Sequence, residues 1–199
     1  LLGTGGAEEK ADGMIVVDYR QMGERLAEEM KKRIPADCPV FILADEHEKD
    51  MATRSFLEGA ESVLEEGGVR FWRVRPDGEE GYREILEAQP GGGAAILAGS
   101  PEALTGAADI LEKDIVQPGC VQGLFGRGNT PAILDDLDGG VVTGICVTDE
   151  FSRGYFSVRR AIEELERSGT GEPLVMDAYY IEKKDLREPK YEKMLFPME

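Results

Sequence analysis

Histidine, tryptophan and cysteine are scarce in this chain: one His, one Trp and three Cys in 199 residues. With a single histidine, His47, any Ser–His–Asp or Cys–His relay would have to pass through that position, and no serine sits in a GxSxG elbow. Cys38, Cys120 and Cys146 are isolated, odd in number and set among apolar residues. They make no CxxC and no metal-ligand spacing, so they read as buried free thiols. No apolar run approaches the roughly 20 residues needed to cross a bilayer. The opening Leu1-Leu2-Gly3-Thr4-Gly5-Gly6 lacks the basic region and apolar core of a signal peptide. It also fails as a dinucleotide fingerprint, because the third glycine is missing and no helix pattern follows. Positive charge is in deficit as well. Lys and Arg total 23 against 40 Asp and Glu, a formal net charge of −17 spread along the chain. Such a surface repels phosphate backbones and anionic membranes, which excludes nucleic-acid binding by this segment.

What is present is ordinary globular material, 41% hydrophobic and 32% charged, in which strand and helix patterns alternate. Met14–Val17 is a short apolar strand ending at Asp18. A helix follows with Tyr19, Met22, Leu26, Met30 and Ile34 on one face, and Pro35 stops it. Val40–Ala44 reads as a buried strand, followed by the polar loop Asp45–Lys49. A helix over about 50–66 closes at Gly67-Gly68. Val69–Val74 reads as a strand whose Trp72 packs in the core in preference to stacking on a sugar, and a third helix runs to about Gln89. Ala94–Ala98 is again a buried strand. Ser100-Pro101 reads as an N-cap with proline at the first helical position. The most informative stretch is 121–169. It runs strand Val121–Phe125, loop Gly126-Arg127-Gly128-Asn129-Thr130-Pro131, short helix, strand Val141–Val147, Thr148-Asp149-Glu150-Phe151, and a long amphipathic helix. Leu174–Ile181 then reads as one last strand and Lys190–Leu195 as a terminal helix. This order predicts a three-layer α/β/α sandwich with a mainly parallel sheet and right-handed crossovers, whose carboxyl-end loops form a crevice for a small ligand.

The candidate motifs each have a structural reading beside the functional one. Gly126–Pro131 is either an anion- or hydroxyl-binding loop at a helix start or a tight turn capped by Thr130 with Pro131 at the first helical position. The carboxylates Asp45, Glu46 and Glu48 could face a metal, but consecutive loop acids of this sort are usually solvated, and no EF-hand pattern is present. Phe151, just beyond a buried strand, is a candidate aromatic wall for a ligand.

The order of features resembles the type I periplasmic binding proteins, a fold shared with the effector domains of the lactose-repressor family. Val17-Asp18-Tyr19-Arg20-Gln21-Met22-Gly23 resembles the passage V-x-x-D-x-x-x-G, where such chains cross from the first lobe to the second. Arg54–Leu64 with Gly59-Ala60 resembles the R-x-x-G helix, Ala95–Gly106 the strand and D-x-x-A-x-G-A segment, and Phe125–Pro131 the G-x-D-x-x-P loop. Gly144–Gly154 resembles the return through the hinge, and 180–197 the ending of sugar-binding proteins of ABC importers. There are departures. Gly99-Ser100 stands where importer members carry Asn or Asp, Gly128 where they carry Asp, and Thr148 where they carry Gln or Asn. Arg54 lies five residues before Gly59 instead of three.

The resemblance implies a partial fold: residues 1–17 as a remnant of a first lobe with the hinge crossing, 18–148 as the second lobe, and 149–199 as the hinge return with the last long helix, strand and tail. It implies a solute-binding protein for a sugar-like polar ligand, working with the membrane permease of a bacterial ABC importer and facing a missing first lobe or a homo-oligomer partner. The location would be extracytoplasmic. The alternative is the effector-sensing domain of a lactose-repressor-family regulator or sensor receptor, in the cytoplasm if a regulator. No catalytic residue, metal or cofactor is expected. The residues expected to face the ligand are Asp45, Arg54, Ser100, Asn129, Thr148, Asp149 and Phe151.

Overall fold

A computed structural model describes residues 14–44, 49–87, 93–113, 119–166 and 173–196. Eight strands and seven helices alternate among them: β1 (Ile15–Val17), α1 (Tyr19–Lys31), β2 (Val40–Leu43), α2 (Met51–Glu66), β3 (Phe71–Val74), α3 (Gly78–Glu87), β4 (Ala94–Ala98), α4 (Pro101–Glu112), β5 (Val121–Arg127), α5 (Pro131–Gly139), β6 (Gly144–Thr148), α6 (Glu150–Leu165), β7 (Leu174–Met176), β8 (Ala178–Ile181) and α7 (Pro189–Leu195). The main sheet has the order β3-β2-β4-β5-β6-β8. Its first five strands are parallel, and β8 runs antiparallel to β6.

Period-two alternation on the central strands builds two cores. Val40, Ile42, Ala95, Leu97, Phe125 and Cys146 face α1 and α2. Leu43, Ile96, Ala98, Leu124, Ile145 and Val147 face α4 and α5. Strands covered on both faces read as continuous apolar runs, as β2, β4 and β6 do. The layers are therefore helix, sheet and helix, as the pattern implied. The capping readings also hold. Ser100 Oγ accepts from the Ala103 amide at 3.0 Å and Thr130 Oγ1 from the Ile133 amide at 3.4 Å, each ahead of a proline at the helix start.

Several local expectations need correction. The stretch 174–181 is two strands, not one. Leu174–Met176 pairs in parallel with β1 in a separate two-stranded sheet, while Ala178–Ile181 joins β6 in the main sheet. The chain changes sheets at Asp177, an exposed acid that separates two short apolar runs. Trp72 is exposed rather than buried, because β3 is the edge strand; its ring lies tilted at 5.7 Å from Phe41. The strand expected from Val69 begins at Phe71. Cys38 and Cys146 are buried free thiols, but Cys120 is only half-buried. Burial pushes the Cys146 thiol up to about 12. The opening residues 1–6, the loop acids Asp45, Glu46 and Glu48, His47, and Gln89 lie outside the described residues.

Helices α1 and α2 approach each other at two glycines. A Cβ added at Gly23 would stand 1.9 Å from the Phe56 carbonyl oxygen, and one at Gly59 would stand 2.1 Å from the Arg20 carbonyl oxygen. Backbone cannot yield as a flexible side chain can, so this helix pair accepts only glycine at both places. At the far end of α1, Arg33 ion-pairs with Glu29 and with Glu182 beyond β8, and its guanidinium sits 4.6 Å from the Tyr180 ring centre. Arg25 Nη1 donates to the Ala178 carbonyl at 2.9 Å. These contacts bind α1 to the strand that returns through β7.

The Gly59→Ala variant should lose about 2–4 kcal/mol of unfolding free energy in urea titration; an unchanged midpoint would contradict the close approach. Tyr180 Oη is buried with no hydrogen-bond partner among the described residues, and burial holds its pKa above the ordinary tyrosine value. Tyr180→Phe, which keeps the ring under Arg33, should therefore leave stability unchanged or raise it by up to about 1 kcal/mol. A clear loss of stability would show that the hydroxyl does have a partner.

Candidate functional site

The carboxyl ends of β2, β4, β5 and β6 lie side by side, because those strands are neighbours in the sheet. The strands β4, β5 and β6 pass directly into the amino-terminal turns of α4, α5 and α6, and α2 begins at Met51, soon after β2. In an open α/β sheet this end is where ligands bind. The residue at its centre is Arg127, the last of β5 and the register partner of Cys146. Its Nε donates to the Gly99 carbonyl at 2.9 Å and its Nη2 to Thr53 Oγ1 at 2.9 Å. The guanidinium carbon lies 5.3 Å from the Tyr19 ring centre and 5.6 Å from that of Phe56, within reach of cation–π attraction. One side chain thus ties together the end of β4, the first turn of α2 and the first residue of α1. Thr53 is fully buried.

The predicted ligand residues fall into three groups. Ser100, Asn129, Thr148 and Asp149 are brought together, at the ends of three neighbouring strands. Of these, Ser100 is buried and caps α4. Thr148 is buried and donates to Glu150 Oε1 at 2.9 Å. Asp149 caps α6: its Oδ1 accepts from the Ser152 amide at 2.9 Å and its Oδ2 from Ser152 Oγ at 2.6 Å. Asn129 is half-buried in the loop between Gly128 and Thr130. The second group lies to the side. Arg54 is exposed on α2, one residue past the buried Thr53, because the helix turns about 100° per residue and gives Thr53 the inner face. Phe151 is exposed on the first turn of α6. Asp45 lies outside the described residues.

Gly128 explains one departure from the binding-protein pattern. Its φ of +120° is a conformation that side-chain-bearing residues rarely adopt, and a Cβ there would press on Ile133 and Pro101. A side-chain-bearing residue at this position would strain the loop's backbone. Arg127, Thr53 and Tyr19 escaped the sequence reading. Arg127 could have been found as a charged residue closing a buried strand, and Thr53 as the one polar residue on the apolar face that carries Phe56, Leu57 and Ala60.

Beside this floor, between the β1–β7 pair and the first turns of α2, is a cavity of about 270 Å³ lined by Val17, Tyr19, Met51, Ala52, Ser55 and Val175 among others. It is mostly apolar with a few polar groups, the character of a small-ligand wall, and sits just below the size range usual for such sites. Among the described residues no cluster of three or more His, Cys, Asp or Glu could hold a metal ion, and no helix is long and apolar enough to cross a membrane. The geometry offers hydrogen-bond donors and acceptors set in a stiff frame.

Comparison with solved structures relates this architecture to carbohydrate solute-binding proteins. The chain is similar to a carbohydrate transporter solute binding protein from Agrobacterium Radiobacter in complex with D-arabinose, with a TM-score of 0.75 and 17% identity over 96% of this chain and 68% of that one. A glucose-galactose binding protein from Geobacillus stearothermophilus matches with a TM-score of 0.74 and 17% identity, covering 87% of this chain and 64% of that one. An ABC transporter solute binding protein from Agrobacterium vitis, bound with alpha-D-tagatopyranose, matches at 0.74 and 15%, covering 92% and 63%. These likenesses show that the chain has the type I periplasmic-binding-protein fold. It spans about two thirds of the length of these neighbours. Neither a protein-family model nor a curated protein sequence matches it.

Replacing Arg127 by Met should cost about 1.5–3 kcal/mol in urea unfolding, since the buried Thr53 hydroxyl loses a charged donor. Arg54→Met, on the exposed face, should stay within about 0.5 kcal/mol of the parent. Equal effects of the two changes would contradict the assignment of Arg127 to the crevice floor.

Proposed function

We propose that this chain is the ligand-binding lobe of a carbohydrate solute-binding protein that delivers its ligand to the permease of an ABC importer outside the cytoplasm. It forms one wall of a clamp and performs no covalent chemistry. The observation that carries the reading is the crevice at the carboxyl ends of β4, β5 and β6, floored by Arg127 and bordered by the crossing strand β1, in a fold shared with proteins solved with D-arabinose and with alpha-D-tagatopyranose. A neutral polyhydroxylated ligand suits this site. It needs directional hydrogen bonds and an apolar wall, and it takes no part in the repulsion that a surface of −17 exerts on anions. Affinity in a clamp comes from closing two walls, so one wall alone binds weakly.

The test is a titration of the ¹⁵N-labelled chain with D-arabinose, D-galactose and D-tagatose, followed by amide chemical shifts. Shifts should gather at Thr53, at 99–100, at 127–129 and at 148–149, with dissociation constants of about a millimolar or weaker. Silence toward every sugar, or shifts gathered elsewhere, would count against the carbohydrate reading. Submicromolar binding by these 199 residues would count against the single-wall reading. Turnover of any of the sugars would count against a purely binding role.

A further inference from the structure

The stretch 69–76 holds Arg70, Arg73 and Arg75 and no acid, in a chain where acids outnumber bases by 40 to 23. It supplies β3, an edge of the main sheet. β2 pairs with it on one side, and no strand joins it on the other among the described residues. β2 also stands between this edge and β4, so the edge is separate from the Arg127 floor. Trp72, the one tryptophan of the chain, is 47% exposed here. Its ring is propped against Phe41 of β2, with centroids 5.7 Å apart and 30° between the planes. On the other face, Arg73 Nη2 donates to Glu61 Oε2 at 2.8 Å and Arg73 Nε to Glu61 Oε1, which pins the strand to α2. Arg70 and Arg75 are exposed. The edge is thus held firmly, is basic, and carries an outward aromatic ring.

An edge strand presents a row of unpaired N–H and C=O groups, and charge along it is a usual guard against pairing. The guard here has one sign. Pairing with the same edge of a second copy would set arginines against arginines, and like charges opposite each other destabilise a sheet. A bilayer offers the edge no hydrogen-bond partners, and the net charge of −17 opposes an anionic membrane. An extended acidic segment meets the reverse situation. It gains main-chain hydrogen bonds along the edge, ion pairs with arginine and an apolar contact on Trp72. In strand addition of this kind the main chain supplies affinity and alternate side chains supply specificity. Tryptophan and arginine are also the side chains enriched at the energetic centres of interfaces.

We propose that the open edge of β3 docks an extended, acidic segment of a partner protein, which joins the main sheet as a further strand with an apolar side chain seated on Trp72. The proposal goes beyond the carbohydrate reading and does not depend on it.

Because Trp72 is the one tryptophan, its emission reads this surface directly. The probe is the capped synthetic peptide Glu-Thr-Glu-Ile-Thr-Glu, which in antiparallel register sets acids opposite the three arginines and isoleucine opposite Trp72. The control is the same peptide with Lys in place of each Glu. At low salt the acidic peptide should shift Trp72 emission to the blue, protect it from acrylamide quenching and slow hydrogen exchange at the β3 amides. The Lys peptide should bind at least about 10-fold more weakly. Arg70→Glu, at an exposed position, should keep the parent's urea midpoint and lose at least about 10-fold in affinity for the acidic peptide. Trp72→Thr, followed by amide exchange, should weaken binding as well. Equal affinity for the two peptides, or no response to either at millimolar concentration, would overturn the proposal. So would a blue shift on concentrating the chain alone, which would place a second copy on the edge. A blue shift with phosphatidylglycerol vesicles and none with the acidic peptide would place a membrane there and overturn it too.

Discussion

The approach of α1 to α2 at Gly23 and Gly59 sets the geometry on which the crevice depends. With both glycines reduced to backbone, the Phe56 and Arg20 carbonyls come into van der Waals reach of the opposite helix. That contact fixes two positions at once: Tyr19, where the chain enters α1 from β1, and Thr53, in the first turns of α2. Arg127 then has a ring and a hydroxyl at the distances its guanidinium requires, with the Gly99 carbonyl as a third anchor. The floor of the crevice is therefore a consequence of helix packing more than of the loops around it.

The rim is stiff for a related reason. Ser100, Thr130 and Asp149 each satisfy a helix amide, and Thr148 is bonded to Glu150. Each of these bonds stiffens its own strand-to-helix turn. The same commitment narrows the part each can play in direct recognition. Asn129 in the loop after β5 and Tyr19 at the start of α1, both half-buried, remain more accessible.

The layered architecture was legible in the sequence because strands covered on both faces are written as unbroken apolar runs, such as Val40–Leu43 and Ala94–Ala98, between helices of 3.6 periodicity. The caps at Ser100 and Thr130 were legible because proline follows each directly. The break at Asp177 was not. Asp177 interrupts the apolar run, but a single exposed acid also suits the solvent face of one continuous strand, and only the pairing partners tell the two apart. Trp72 misled because burial depends on strand order, and nothing local distinguishes an edge strand from a central one. In the site, strand-end positions such as Ser100, Asn129 and Thr148 could be picked out by place alone. The contact between Arg127 and Thr53 spans 74 residues of sequence, so no local pattern could announce it.

The central claim is that the sheet's carboxyl end, floored by Arg127, is the face that meets a carbohydrate. A crystal structure of the chain grown with D-arabinose at high concentration tests it most directly. The account predicts electron density for the sugar in the crevice, within hydrogen-bond distance of the loop at Asn129 or the group around Arg127, with one face against the wall formed by Tyr19 and Val175. Sugar bound only at a site remote from the strand ends, or density for a ligand held by groups arranged to cleave it, would contradict the account.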